Sequence, residues 1–354
     1  SHLRRRNERD ATGPHHHVQP RFPSGGALMD FSLSRDQEAL RDLTAQIVGD
    51  VCTAEYLRHI AGTEPGTDAT LWRTLADAGL VGIGLPESVG GGGQGWLETC
   101  IVLSELARAS APVPALATMA FAAPSLAASG SHDELVARVA TGESVVAAAV
   151  HEPTGDPFSA AAATVDGGLH GTKICVLHGT IAEAFVVTAI DGLHLVWADA
   201  PGVTVETQTT SSDAPDALVT FRGSPSELLA GPEGTALLIQ RGLSAACVMT
   251  AAACEAALAD HAHFDMVVRE NSRIREMFSR ELSELGVKVI PSQTNFVLAQ
   301  FQDPQRATDA HTALEAEGIF ARRLVGGDFS KCIRFTMGAD TEMNQCISAL
   351  AKWL

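Results

Sequence analysis

Arg334 lies in the run Ile333-Arg334-Phe335-Thr336, whose β-branched and aromatic neighbours read as a strand, and a planar guanidinium on a strand can hold a carboxylate through two parallel hydrogen bonds. The same arginine can equally pair with a neighbouring Asp or Glu, and the residues alone leave both readings open. Arg322 stands beside Arg323 after Gly318-Ile319, and Asn295 occupies the turn before Phe296. Lys288 and Lys331 lie in no catalytic context and read as solvated surface lysines. Glycines 90–93 have the composition of a phosphate cradle, but no Lys-Ser/Thr follows and no strand-loop-helix pattern surrounds them, so the expectation is a flexible surface turn. His15-His16-His17 could bind a metal. The stretch around it reads as an unfolded leader, and no other metal-ligand spacing is present.

Composition narrows the classes. The 354 residues carry 25 Lys and Arg against 42 Asp and Glu, a formal charge of -17, which argues against nucleic acid as partner. Hydrophobic residues make up 45% and no uninterrupted apolar run reaches the ~20 residues of a membrane helix, so no membrane association is expected. The 7 cysteines are odd in number and contain no C-x-x-C, which fits a reducing, cytoplasmic setting.

The elements that must position these groups fall into successive regions. Residues 1–28 form the leader, with Met29 as the natural start. Residues 29–143 read as an all-α domain: Ser34 and Gln37 have capping-box spacing, and helices are expected over 70–78, 96–109 and 132–140. Residues 144–230 change to short β-branched runs with hairpin signals at Asp166-Gly167 and Asp191-Gly192, giving an antiparallel β-barrel or sandwich. An apolar, Ala-rich helix is expected over 231–260. Residues 261–354 alternate helix and strand, with strands over 287–290, 296–301, 319–321 and 333–336, as a compact α+β module. The fold class is therefore multidomain α and β.

The run Leu71-Trp72-Arg73-Thr74-Leu75-Ala76-Asp77-Ala78-Gly79-Leu80-Val81-Gly82-Ile83-Gly84-Leu85-Pro86-Glu87, with Leu103-Ser104-Glu105-Leu106-Ala107-Arg108, resembles the N-terminal helical domain of acyl-CoA dehydrogenases. Leu169-His170-Gly171-Thr172-Lys173 and Ala182-Glu183-Ala184-Phe185-Val186-Val187-Thr188-Ala189 are similar to that family's middle domain. The resemblance implies FAD-dependent α,β-dehydrogenation of an acyl-CoA thioester, in which a carboxylate takes the α-proton and flavin N5 accepts the β-hydride. Val150-His151-Glu152-Pro153-Thr154-Gly155-Asp156-Pro157 falls where the family has a Thr-Glu-Pro-x-x-Gly-Ser loop, which makes Thr154, Gly155 and Asp156 candidate cofactor neighbours. His151 replaces the usual Thr and no Gly-Ser pair follows, so a plain β-turn at 152–155 remains the alternative. After Asp260 the family's Arg-x-x-Phe-Gly motif, flavin-contacting Gln and catalytic Glu have no counterpart, and no catalytic residue is assigned.

The rear of the chain follows another pattern. Gly286-Val287-Lys288-Val289-Ile290-Pro291-Ser292-Gln293-Thr294-Asn295-Phe296-Val297-Leu298, Gly318-Ile319-Phe320-Ala321-Arg322 and Ile333-Arg334-Phe335-Thr336-Met337-Gly338 resemble the small domain of histidinol-phosphate aminotransferases. That resemblance implies a C-terminal aminotransferase-type α+β domain related to pyridoxal-phosphate enzymes. It gives Arg334 to a substrate carboxylate, Arg322 to a substrate phosphate and Asn295 to support of the nearby turn, with no Schiff-base Lys identified. Three explanations of the combination compete. A partner subunit supplies the catalytic Glu to an acyl-CoA-binding chain; the rear module serves binding or dimerisation; or the chain is an inactive chimeric product.

Overall fold

The computed structural model describes residues 32–154, 164–165, 168–210 and 214–354. The leader, the three-histidine run, Gly155, Asp156 and the expected hairpin at Asp166-Gly167 lie outside the described residues.

Helix α1 (Arg35–Val51) opens on the expected capping box: the backbone N–H of Gln37 donates to Ser34 Oγ at 3.2 Å, and the N–H of Ser34 donates to Gln37 Oε1 at 2.9 Å. Thr53 caps α2 (Ala54–Ala61). Asp68 caps α3 (Ala69–Asp77), its Oδ1 accepting from the N–H groups of Thr70 and Leu71, each at 2.9 Å. Gly79, at φ +75°, ends α3 in the left-handed region. Helix α4 (Trp96–Arg108) follows. A π-helical segment, Leu116–Ala122, then runs into α5 (Ala123–Ser129), and α6 (Asp133–Ala140) completes the helical region. Leu71, Leu75, Leu103 and Leu106 fill its core, each burial stabilising by about 1.5–3 kcal/mol.

The glycines 90–93 are not the flexible turn expected. Gly92 N–H donates to Gly82 O at 2.9 Å, Gly93 N–H to Leu85 O at 2.8 Å and Gln94 N–H to Ile83 O at 2.9 Å, so the loop lies flat on the segment before it. A Cβ on Gly91 would sit 2.3 Å from Leu85 O, which is why glycine occupies that position.

Two four-stranded sheets form the middle region. One has the order β1 (Val146–Ala149), β4 (Ala184–Ala189), β5 (Gly192–Trp197), β8 (Glu227–Ala230); the other runs β2 (Thr164–Val165), β3 (Leu169–Val176), β7 (Ala217–Ser224), β6 (Val203–Thr207). Phe185 and Phe221 meet edge to face between them, ring centroids 6.4 Å apart. All six residues of β4 are buried because one face of its sheet packs on the other sheet and the other face packs on α5, α6 and the helix that follows the domain. The pairing is antiparallel except for β1 with β4, which is parallel in the register Val146↔Ala184. Between these two strands the chain crosses into the other sheet to form β2 and β3 before returning.

Helix α7 (Pro232–Ala259) is long and apolar enough to cross a membrane by length and composition alone, although Glu233, Arg241 and Glu255 interrupt it and, as expected, no uninterrupted apolar run reaches ~20 residues. In this fold it lies on α4 and the π-helical segment through Leu238, Gly242, Ala245 and Ala252. A Cβ on Gly242 would lie 1.9 Å from the Phe121 ring, so the contact requires glycine. Leu237 and Leu258 remain exposed.

Helix α8 (His261–Glu284) leads into a compact α+β unit: β9 (Lys288–Ile290), β10 (Phe296–Gln300), α9 (Pro304–Ala316), β11 (Arg322–Arg323), β12 (Cys332–Thr336) and α10 (Asp340–Trp353). Its antiparallel sheet has the order β11-β12-β10-β9, and Phe278, Leu314, Phe335 and Leu350 centre its core. The strand expected over 319–321 does not form. Ile319 N–H returns to Leu314 O to close α9, and pairing with β12 begins only at Arg322.

Candidate functional site

The loop after β1 is held by a buried lysine. Lys173, fully inaccessible in β3, donates from Nζ to Glu152 Oε1 at 2.6 Å, Thr188 Oγ1 at 3.0 Å and Val150 O at 3.3 Å, so all three ammonium protons find acceptors. Ile174 N–H donates to His151 O at 2.9 Å, and the loop is pinned by backbone as well as side chain. Burial pushes the Lys173 pKa below its ordinary value, and the hydrogen bond and charge of Glu152 pull it back up.

Past Lys173 the strand bulges. Cys175 adopts φ +49°, its N–H donating to Gln208 Oε1 at 2.6 Å, and His178 adopts φ +54°. Burial lowers the His178 pKa to about 4, against a smaller opposing effect of Asp216, and its Nδ1 has no hydrogen-bond partner among the described residues. The bulge, the pinned loop, the π-helical segment and α7 enclose an apolar cleft of 190 Å³ whose walls include Phe121, Val150, His151, Cys175, Leu177 and Ile239. Thr154 is exposed two residues beyond Glu152.

The rear module brings two of the expected residues together. Arg322 and Arg334 are register partners on β11 and β12. Arg334 stacks over Phe296 at 5.4 Å, its Nε is buried without a hydrogen-bond partner, and neither arginine forms an ion pair among the described residues. Two like charges directly opposite on a sheet repel, and an anion between them would relieve that cost. Asn295 contributes its backbone carbonyl, which accepts from Met337 N–H at 2.8 Å, while its side chain is exposed. Lys288 is exposed and Lys331 half-buried.

Sequence reasoning left Lys173, His178 and Arg241 unassigned. A lysine amid the β-branched run of β3 was the available signal, because a charge there must be either exposed or paired. Among the described residues no group of three or more His, Cys, Asp or Glu could hold a metal, and all seven cysteines are free thiols.

Comparison with known proteins finds two families along the chain, and the second match begins inside α7. Residues 34–143 match the family Acyl-CoA dehydrogenase, N-terminal domain, and residues 234–351 match Aminotransferase class I and II. Acyl-CoA dehydrogenase FadE27 of Mycobacterium tuberculosis is 36% identical over 191 residues, 52% of this chain and 51% of that protein. Histidinol-phosphate aminotransferase of Rhodospirillum rubrum is 39% identical over 116 residues, 32% of each. Among solved structures, the ChsE4-ChsE5 complex from Mycobacterium tuberculosis aligns with TM-score 0.61 and 28% identity over 72% of this chain and 76% of the other. The chain thus joins an acyl-CoA dehydrogenase N-terminal and middle region to an aminotransferase class I and II segment. It spans about half the length of the acyl-CoA dehydrogenase and a third of the aminotransferase.

Proposed function

We propose that residues 34–260 form the cofactor- and thioester-binding part of an acyl-CoA dehydrogenase-type subunit, and that the carboxylate base comes from a partner chain. The observation that carries this reading is the 150–154 loop, fixed by Lys173 at the mouth of an apolar cleft bounded by α7. At 190 Å³ the cleft is smaller than the roughly 300–1,000 Å³ of sites that enclose a small molecule, so its apolar wall fits one side of a flat ring system and leaves the other side to be covered. Val150, Leu177 and Ile239 would bear on the ring, with Thr154, Gly155 and Asp156 as its proposed polar neighbours. FAD, when bound, supplies the hydride acceptor for α,β-dehydrogenation of an acyl-CoA. This chain's part is to pack the ring, keep water from its covered side and orient the loop. A heteromeric assembly accords with the ChsE4-ChsE5 relative and with the exposed Leu237 and Leu258 on α7. The free thiols accord with a cytoplasmic setting.

A second reading concerns residues 261–354. Arg322 and Arg334, without an ion pair among the described residues, favour an anion site of the kind a pyridoxal-phosphate enzyme uses for its substrate, with no Schiff-base lysine identified and therefore binding without turnover. The experiment for the main reading is anaerobic addition of an acyl-CoA to the FAD-loaded chain. The expected result is a perturbed flavin spectrum without bleaching. Full bleaching by the chain alone would overturn the assignment of the base to a partner.

A further inference from the structure

A second cleft, of 360 Å³, lies among the segments flanking the glycine loop, α4, α5 and α7 and shares no lining residue with the first. Val81, Leu85, Met119 and Ala127 give it apolar stretches of wall, Gln94 and Thr99 give it polar ones, and Arg241 is the one charged residue that lines it among the described residues. Arg241 is half-buried. It forms no ion pair and no side-chain hydrogen bond among the described residues; its guanidinium rests 5.9 Å from the centroid of the Trp96 ring. That ring is itself fixed, its indole N–H donating to Ser244 Oγ at 3.1 Å.

An unneutralised guanidinium facing an otherwise uncharged cavity, in a chain of formal charge -17, is a local centre of positive potential. Its planar fork matches a carboxylate, and the apolar walls match a hydrocarbon body behind one. A phosphate of coenzyme A is the other anion that could reach it, but a doubly charged, strongly hydrated group loses more by entering apolar walls than a single carboxylate does. We infer that this cleft receives the acyl part of a thioester whose far end carries a carboxylate, and that Arg241 binds that carboxylate. The assignment rests on the acyl-CoA reading above and narrows its substrate class.

Adipoyl-CoA and hexanoyl-CoA share chain length and differ at the terminal group, so calorimetric titration of the full chain with each isolates the carboxylate. Adipoyl-CoA is expected to bind at least about tenfold more tightly, and Arg241→Gln to weaken it by about 10- to 100-fold while changing hexanoyl-CoA by less than about twofold, as a charge-assisted hydrogen bond requires. Arg241→Lys, which keeps the charge and loses the fork, should retain part of the preference. Equal binding of the two thioesters overturns this inference alone. Equal weakening of both by Arg241→Gln also overturns it and gives Arg241 to the coenzyme phosphates. Binding of neither overturns it together with the acyl-CoA reading.

Discussion

Lys173→Met tests whether the 150–154 loop is held by a buried charge pair. Lys173 is wholly inaccessible and the Glu152 side chain only 12% exposed, so removing the ammonium takes a charged donor away from a carboxylate largely out of water and from two neutral acceptors. Breaking one partner of such a pair costs about 3–5 kcal/mol, and at roughly 2–4 °C per kcal/mol for a unit of 150–250 residues the melting temperature should fall by about 6–20 °C. Lys173→Met with Glu152→Met should recover most of that loss, because an apolar pair of similar volume has no charge left to solvate. The pH dependence adds a second test. The folded lysine has a pKa below its ordinary 10.5, so between the folded value and 10.5 the unfolded chain binds more protons, and this group's contribution to stability rises with pH across that window. Thermal melts followed by circular dichroism from neutral to alkaline pH read both effects. A single mutant melting within about 1 °C of wild type would refute the reasoning, since that is less than 1 kcal/mol.

The His178 pKa, lowered from 6.5 to about 4, makes the unfolded state bind more protons between those values, so stability should fall by up to about 3 kcal/mol as pH drops through that window. His178→Asn, which tolerates the left-handed backbone, should flatten the loss in urea titrations at several pH values. Gly242→Ala drives a methyl into the Phe121 ring and should cost about 1–3 kcal/mol or more in urea unfolding. Asp68→Ala removes the cap of α3 and the acceptor of the Tyr56 hydroxyl at 2.5 Å, a loss of about 1–2 kcal/mol for the cap alone. It should also bring the Tyr56 pKa, raised to about 12 chiefly by that hydrogen bond, back toward 10 in ultraviolet titration. Inorganic phosphate should raise the melting temperature of the rear module, and Arg334→Gln should abolish the rise.

Local chemistry made much of the fold legible. The Ser34–Gln37 capping box, the Gly79 stop and the β-branched runs of β4 and β5 depend on residues close in sequence, and α3 and α4 form within one residue of the expected 70–78 and 96–109. Long-range geometry was hidden. The parallel partner of β1 is set by a crossover between sheets, and β8 takes its edge only by pairing with β5. The π-helical segment carries an Ala-rich pattern with Pro124 just beyond it, which marks no helix in isolation and gains its hold from α7. Strand β11 was misplaced because Ile319 and Phe320 resemble a strand by type, whereas Ile319 closes α9. At the candidate sites the arginines could be named from their run, but not their register. The lysine that fixes the loop meets Glu152 only once 21 residues of chain have folded back.

The claim that residues 34–260 retain a cofactor site is tested most directly by incubating the purified full-length chain with FAD and recording the visible spectrum of the protein peak after gel filtration. Wild type should carry a flavin band with the protein, and Lys173→Met, measured below its melting temperature, should carry less. A folded, colourless wild-type peak would contradict the account.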